Sequence, residues 1–263
     1  LLRCTVFAMA ALVPLSASAE LIPPPQLDAR SWLLVDHESG EVLAQSRPDE
    51  RVEPASLTKL MTAYLTFKAL KNGQLKPGQT VPVSVAAWKT GGSKMFIAPD
   101  KPVTVDELIR GMIIQSGNDA CVALAEAIAG TEQAFAQMMN KEGQRLGMAG
   151  TQYRNSTGLT EDGHYTTARD LSLLARALIV DFPEYYPLYS TLDYTYNGIK
   201  QGNRNRLLTM DPSVDGMKTG HTDAAGWCLV SSARRDNRRL VSVLLGAPSE
   251  NGRIESSRAL LNY

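Results

Sequence analysis

The sequence predicts an α/β fold of the α+β kind: one antiparallel sheet drawn from both ends of the chain, with a helical block beside it. Three observations predict it. Strand-like runs sit at the two ends, Trp32–Asp36 and Val42–Ala44 near the start, Trp227–Ser232 and Leu240–Leu245 near the finish. Between them, apolar residues recur at helical spacing behind capping residues. The chain has 263 residues, 44% hydrophobic and 21% charged, which is enough apolar material for a sizeable core and argues against disorder. Lys+Arg and Asp+Glu are both 27, so no global charge points to nucleic acid.

Residues 1–19 read as a secretory signal. Arg3 is a short basic region, Thr5 to Leu15 is apolar but too short to span a bilayer, and Ala17-Ser18-Ala19 offers small residues for cleavage before Glu20. The chain begins with Leu rather than Met, so an initiator or a longer start is expected to be missing. Residues 20–26 form an extended leader with Pro23-Pro24-Pro25. Cys4 lies in the signal; Cys121 and Cys228 remain after export, free buried thiols by default, with a disulfide left open.

Taken in order, Trp32–Asp36 and Val42–Ala44 flank the turn Glu38-Ser39-Gly40-Glu41 and form a hairpin. Pro54 ends an extended segment. From Leu57, the residues Leu60, Met61, Tyr64 and Leu65 keep helical period until Lys71-Asn72-Gly73. Thr80 to Val85 is β-branched and strand-like, and Ala86 to Pro99 is an irregular stretch suited to the border of a cleft. Thr104 with Glu107 is a capping box opening a helix towards Gln115. The helix breaks at Ser116-Gly117-Asn118; a second runs to Gly130, and Thr131 caps a third that ends near Gly147. Asn155 to Tyr165 is a loop, and Thr167 with Asp170 caps a fourth helix stopped before Pro183. Tyr194 to Asn197 reads as a short strand, Asp215–Thr219 and Trp227–Ser232 flank a Gly-bearing turn, and Ile254 to Leu261 reads as a helix.

Three short signals carry chemistry. Ser56 and Lys59 are three apart and face one side of a first helical turn. A serine hydroxyl needs a base, and a lysine amine serves if burial lowers its pKa. A helix N-terminus adds N–H groups and partial positive charge for an oxyanion. Alone, the pattern is expected roughly once by chance in a chain this long. Ser116-Gly117-Asn118, at a helix break, projects a hydroxyl and an amide from one tight turn. Lys218-Thr219-Gly220, beside a strand, supplies a cation, a hydroxyl and a residue without a side chain, so that a substrate backbone can lie along the strand edge. Singly each of these also reads as an ordinary connection; all three in this order are a joint signal for acyl transfer.

On these motifs, and on Gln115–Cys121, Asn203-Arg204-Asn205 and Val214–Thr222, the sequence resembles the low-molecular-mass penicillin-binding proteins that are serine-type D-alanyl-D-alanine carboxypeptidases. The resemblance covers about Leu27 to Tyr263. It implies a β-lactamase/transpeptidase-like fold for residues 27–263 and no metal or cofactor. Ser56 would be the acyl-ester nucleophile, Lys59 its proton acceptor, Ser116 the relay to the leaving D-alanine, and Asn118 the holder of the substrate amide. Lys218 and Thr219 would bind near the substrate carboxylate. The N–H groups of Ser56 and His221 would form the oxyanion hole, each such donor typically worth about 3 kcal/mol. Arg204 and Arg253 match arginines near the site, the latter suited to a terminal carboxylate. The implied partners are a peptidoglycan pentapeptide substrate and β-lactam inhibitors, with no nucleic acid. The implied location is the periplasm, with a small β-rich second domain and a C-terminal amphipathic anchor to the inner membrane expected beyond Tyr263. The loop Asn155-Ser156-Thr157-Gly158 receives no catalytic role.

Other readings weigh less. No Gly-x-Ser-x-Gly elbow is present, and of the three histidines only His221 adjoins a motif; His37 and His164 read as surface turn residues. No His-Glu-x-x-His supports a zinc hydrolase, and Met217 before Lys218 breaks a phosphate-loop reading. A class A β-lactamase would need a Glu-x-x-Leu-Asn loop, whereas Glu184 is followed by Tyr-Tyr-Pro-Leu. A penicilloyl-accepting sensor or an inert cell-wall-binding module would keep the fold without turnover, and the intact Ser56, Lys59 and Ser116 argue against inertness. A D,D-endopeptidase acting on cross-links would use the same motifs.

Overall fold

A computed structural model describes residues 23–263 of the protein. The signal-like segment 1–19, Cys4 and the start of the leader lie outside the described residues. Strands β1 (Ser31–Asp36) and β2 (Val42–Ser46) make the expected hairpin. A 3-10 turn, Ala55–Thr58, runs directly into helix α1 (Lys59–Lys71). Strand β3 (Thr80–Val81) is followed by helix α2 (Val85–Lys89) and by β4 (Val103–Thr104), which pairs with β3. Helices α3 (Val105–Ile114), α4 (Asn118–Ala129), α5 (Glu132–Arg145) and α6 (Ala168–Asp181) complete the block. After a 3-10 turn, Tyr186–Ser190, come the hairpin β5 (Asp193–Tyr196) and β6 (Ile199–Gly202) and the short helix α7 (Leu207–Met210). Strands β7 (Val214–Thr222), β8 (Gly226–Arg235) and β9 (Arg238–Ala247) and helix α8 (Glu250–Asn262) close the chain.

The main sheet has the order β2-β1-β9-β8-β7, antiparallel throughout. The two chain ends meet where β1 pairs with β9, from Ser31 opposite Leu245 to Asp36 opposite Leu240. All six residues of β1 are buried, because both faces of the sheet are covered. Alternation along the strands sorts the side chains. Trp32, Leu34, Leu229 and Leu244 pack with Ile254 and Leu260 of α8. Leu33, Val35, Val230 and Val243 join the larger core of the helical block. Each fully buried leucine among these contributes about 2 kcal/mol of transfer free energy. The sheet order leaves β7 at the edge, beside the turn that carries Ser56.

The capping signals work as the sequence predicts. Thr104 and Glu107 form a reciprocal capping box, and Thr131 and Thr167 accept from Ala134 and Asp170 N–H groups. Three local expectations change. The strand-like run Thr80–Val85 yields only two strand residues, because Ser84 accepts from Ala87 N–H and starts α2 at Val85. The strand expected over Tyr194–Asn197 is one arm of a hairpin. Asn197 and Gly198 have φ of 48° and 77°, the two left-handed residues that a two-residue hairpin turn needs. His37 and His164 are not surface residues; both are buried. The Nε2 of His164 meets Thr58 Oγ1 at 3.0 Å, its ring sits edge-on to Tyr153, and burial lowers its pKa to about 4. The backbone of His37 is enclosed by Arg176 and Arg239, with the carbonyl accepting from Arg176 Nε and the N–H donating to Arg239. Cys121 and Cys228 are free and buried.

Candidate active site

Helix α1 is buried on nearly every side, so its polar residues need internal partners. Lys59 and Thr62 find them in the loop 155–158. Thr62 Oγ1 donates to the carbonyl of Ser156 at 2.7 Å. Lys59 Nζ donates to the carbonyl of Thr157 at 2.7 Å and to Ser56 Oγ at 2.9 Å. The loop to which the sequence assigns no role therefore orients the amine at Ser56. Asn155 shapes that loop by accepting from the N–H groups of Thr157 and Gly158.

Gly158 has φ of 86°, and a Cβ there would land on the backbone carbonyl of Ala55. Only glycine lets the loop press against the Ser56 turn from behind. Gly158→Ala is expected to destabilise the protein by about 3 kcal/mol or more, combining backbone strain with a clash against main chain that has no room to move. A thermal melt checks it; an unchanged Tm would contradict this packing.

Two non-glycine residues with positive φ mark the site. Ala55, before Ser56, has φ of 46°, and Ser116 has φ of 68°. Such strain persists only where the surroundings fix it, and it gathers at functional sites. The surroundings of Ser116 are firm. Asp119 accepts at its carboxylate from the N–H groups of Met95, Phe96 and Ile97, and Asn118 N–H donates to Ser93. The irregular stretch expected over Ala86–Pro99 begins only at Thr90, because α2 takes Val85–Lys89; the remainder is pinned to the start of α4, and its Ser93 borders the cleft as the sequence predicts. Ser116 Oγ is buried and has no hydrogen-bond partner.

The cleft has a volume of about 470 Å³. Ser56, Ser116, Arg204, Thr219, Gly220, His221 and Arg253 all line it, so it gathers seven of the ten candidates. Lys59 and Lys218 are buried behind its wall. Asn118 is also set back: its Nδ2 donates to the Gly91 carbonyl at 2.7 Å, while its Oδ1 is buried without a partner. Gly220 has a use different from the one its sequence setting implies. A Cβ there would meet the Pro54 carbonyl at 3.2 Å and Ala55 Cβ at 3.3 Å, so the missing side chain admits the protein's own Ser56 turn against β7. Arg204 is held by its Nε donating to the Gln115 carbonyl at 3.0 Å.

Burial lowers the pKa of Lys59 to about 8, with Arg204 adding to the fall while Cys121 and Asp119 oppose it. Burial also drives the pKa of Lys218 well below the ordinary lysine value, with Lys59, Arg204 and Arg253 adding to the fall. A carboxylate placed at this wall would favour the charged form of Lys218.

Sequence reasoning passes over Ser93, Arg206, Trp227 and Glu250, which also line the cleft. Trp227 stacks on His221 with ring centroids 4.0 Å apart, and the Arg253 guanidinium lies 5.1 Å above the Trp227 ring. None of these has a local motif; the pairing of β7 with β8 brings Trp227 to the cleft, and the return of α8 brings Glu250.

The family model described as D-alanyl-D-alanine carboxypeptidase matches residues 18–249. The chain belongs to this family of peptidases. It is 44% identical over 254 residues to the D-alanyl-D-alanine carboxypeptidase DacC of Escherichia coli, covering 94% of this chain and 64% of that protein. The chain thus spans a little under two thirds of that relative's length. The solved structure of penicillin binding protein 5 from Haemophilus influenzae superposes with a TM-score of 0.89 at 44% identity, over 92% of this chain and 72% of that one. Penicillin-Binding Protein D2 from Listeria monocytogenes, in an ampicillin-bound form, gives a TM-score of 0.84 at 30% identity, over 92% and 98% of the two chains. The α+β architecture is therefore the penicillin-binding, transpeptidase-like fold.

Proposed function

We propose that this chain carries the catalytic machinery of a serine D-Ala-D-Ala carboxypeptidase acting on peptidoglycan pentapeptides. The observation that carries the reading is the 2.9 Å contact between Lys59 Nζ and Ser56 Oγ, with Lys59 buried and its pKa lowered to about 8. Neutral Lys59 takes the Ser56 proton as Oγ attacks the carbonyl of the penultimate D-alanine. The N–H groups of Ser56 and His221 hold the oxyanion. Ser116 Oγ relays the proton taken by Lys59 to the departing nitrogen, so that Lys59 returns to the neutral amine, the C–N bond breaks, and D-alanine leaves. Water then cleaves the Ser56 ester, its hydroxyl going to the acyl carbon and its proton to Ser56 Oγ. The terminal carboxylate lies towards Arg253, Thr219 and Lys218, and the unpartnered Oδ1 of Asn118 accepts from a substrate amide.

β-Lactams acylate Ser56 because their strained amide stands where the D-Ala-D-Ala peptide bond would. The related structure with ampicillin supports this chemistry. We place the protein in the periplasm, exported by residues 1–19, and acting in cell-wall maturation and cell shape. The test is D-alanine release from a pentapeptide muropeptide, with mass-spectrometric mapping of the penicilloyl group. The expected result is release of one D-alanine per peptide and an adduct on the peptide containing Ser56. Release without a Ser56 adduct, or an adduct elsewhere, would overturn the assignment.

A further inference from the structure

Among the described residues that line the cleft, Glu250 is the one carboxylate, set among Arg204, Arg206 and Arg253. It is the first residue of α8, whose N-cap is Ser249. Its Oε1 accepts from Nη2 of Arg253 at 3.0 Å. The two partners differ sharply in freedom. The Arg253 side chain is 4% exposed and held against Trp227, whereas the Glu250 side chain is 43% exposed. Arg253 is also only partly satisfied, because its Nε is buried without a hydrogen-bond partner. A guanidinium presents Nε and Nη2 as two parallel donors that match both oxygens of one carboxylate. Glu250 engages one prong of that fork and leaves the other unused.

We propose that Glu250 is a resident carboxylate that occupies Arg253 in the free protein and is displaced by the carboxylate of the incoming ligand. This rests on the carboxypeptidase reading only for the identity of the substrate. Arg253 is buried and packed on Trp227, whereas Glu250 is half-exposed, so the exchange is made by Glu250 turning out to solvent at small cost. A ligand carboxylate that takes both prongs has the better geometry. A ligand with a neutral terminus has nothing to exchange and leaves the ion pair in place. Glu250 is thus a specificity-determining residue: it moderates affinity for anionic termini and leaves neutral ones unaffected.

The test compares Glu250→Gln and Glu250→Ala with the parent on two ligand pairs. One is a pentapeptide ending in D-alanine and its C-terminal amide; the other is benzylpenicillin and its methyl ester, read as second-order acylation rates. Both variants are expected to lower KM for the acid peptide by about two- to fivefold with kcat held, and to speed acylation by the free acid by the same factor. The amide and the ester should not respond. A raised KM for the acid, or equal changes for acid and neutral ligands, would show that Glu250 merely holds Arg253 in place and would overturn the proposal. If the parent releases no D-alanine, the carboxypeptidase reading fails by itself, and the acid-to-ester ratio of acylation still decides the role of Glu250.

Discussion

Ser56→Ala is expected to abolish D-alanine release and penicillin labelling, a fall of about 10⁴-fold or more, while leaving the fold intact. The loss follows from the covalent step, since among the described residues Ser56 is the one hydroxyl bonded by Lys59 Nζ. Ser116 is the nearest competitor in kind, but its Oγ makes no hydrogen bond to either lysine. Structural consequences should be small. Lys59 keeps its 2.7 Å bond to the Thr157 carbonyl, and the methyl of alanine fits where the serine Cβ already sits. The stability change should stay within about 1 kcal/mol, the worth of one hydrogen bond. Intact-mass spectrometry after exposure to penicillin, beside a thermal melt, checks both halves. A persistent adduct would move the nucleophile away from Ser56.

How far the sequence reveals this site depends on whether its signals are local. The capping box at Thr104, the stop at Gly73 and the apolar strands at both ends act through near neighbours, and the structure follows them. The Asn197-Gly198 hairpin is equally local, yet the sequence reading stops at the first arm. The three motifs converge because β7 is the sheet edge next to the Ser56 turn. What cannot be seen in the sequence is the support behind them. Thr157 acts through its carbonyl, which any residue has, so no side-chain pattern marks it. His164 looks like a loop histidine until the chain folds Thr58 and Tyr153 onto it. Glu250 and Trp227 enter the cleft only through long-range packing. Gly220 sits inside a motif and invites a substrate-facing interpretation, but, like Gly158 in the loop to which the sequence assigns no role, it makes room for the backbone around Ala55.

Lys59→Met is expected to slow acylation of Ser56 by about a thousandfold, within the range of lost general-base catalysis, and to remove its pH dependence below pH 8. With a pKa of about 8, Lys59 is mostly protonated at neutral pH, so acylation by the parent should rise about tenfold per pH unit and level off near pH 8. Stability gives an independent reading of the same group. The folded pKa lies below the ordinary value of 10.5. Below pH 8 both folded and unfolded chains hold the proton, and the folded chain bears the full cost of the buried charge, about 3 kcal/mol. Between pH 8 and 10.5 the unfolded chain holds more protons, so the parent gains stability as pH rises. Methionine removes the charge cost but leaves the Thr157 carbonyl without its donor, which costs about 1–3 kcal/mol. At pH 7 the two effects nearly cancel, and the variant should melt close to the parent. From pH 8 to 10 the parent should pull ahead. Denaturant melts across that range, paired with acylation rates, separate the base from the scaffold. A variant acylated within tenfold of the parent, or a stability difference that does not grow with pH, would remove Lys59 from the role of proton acceptor.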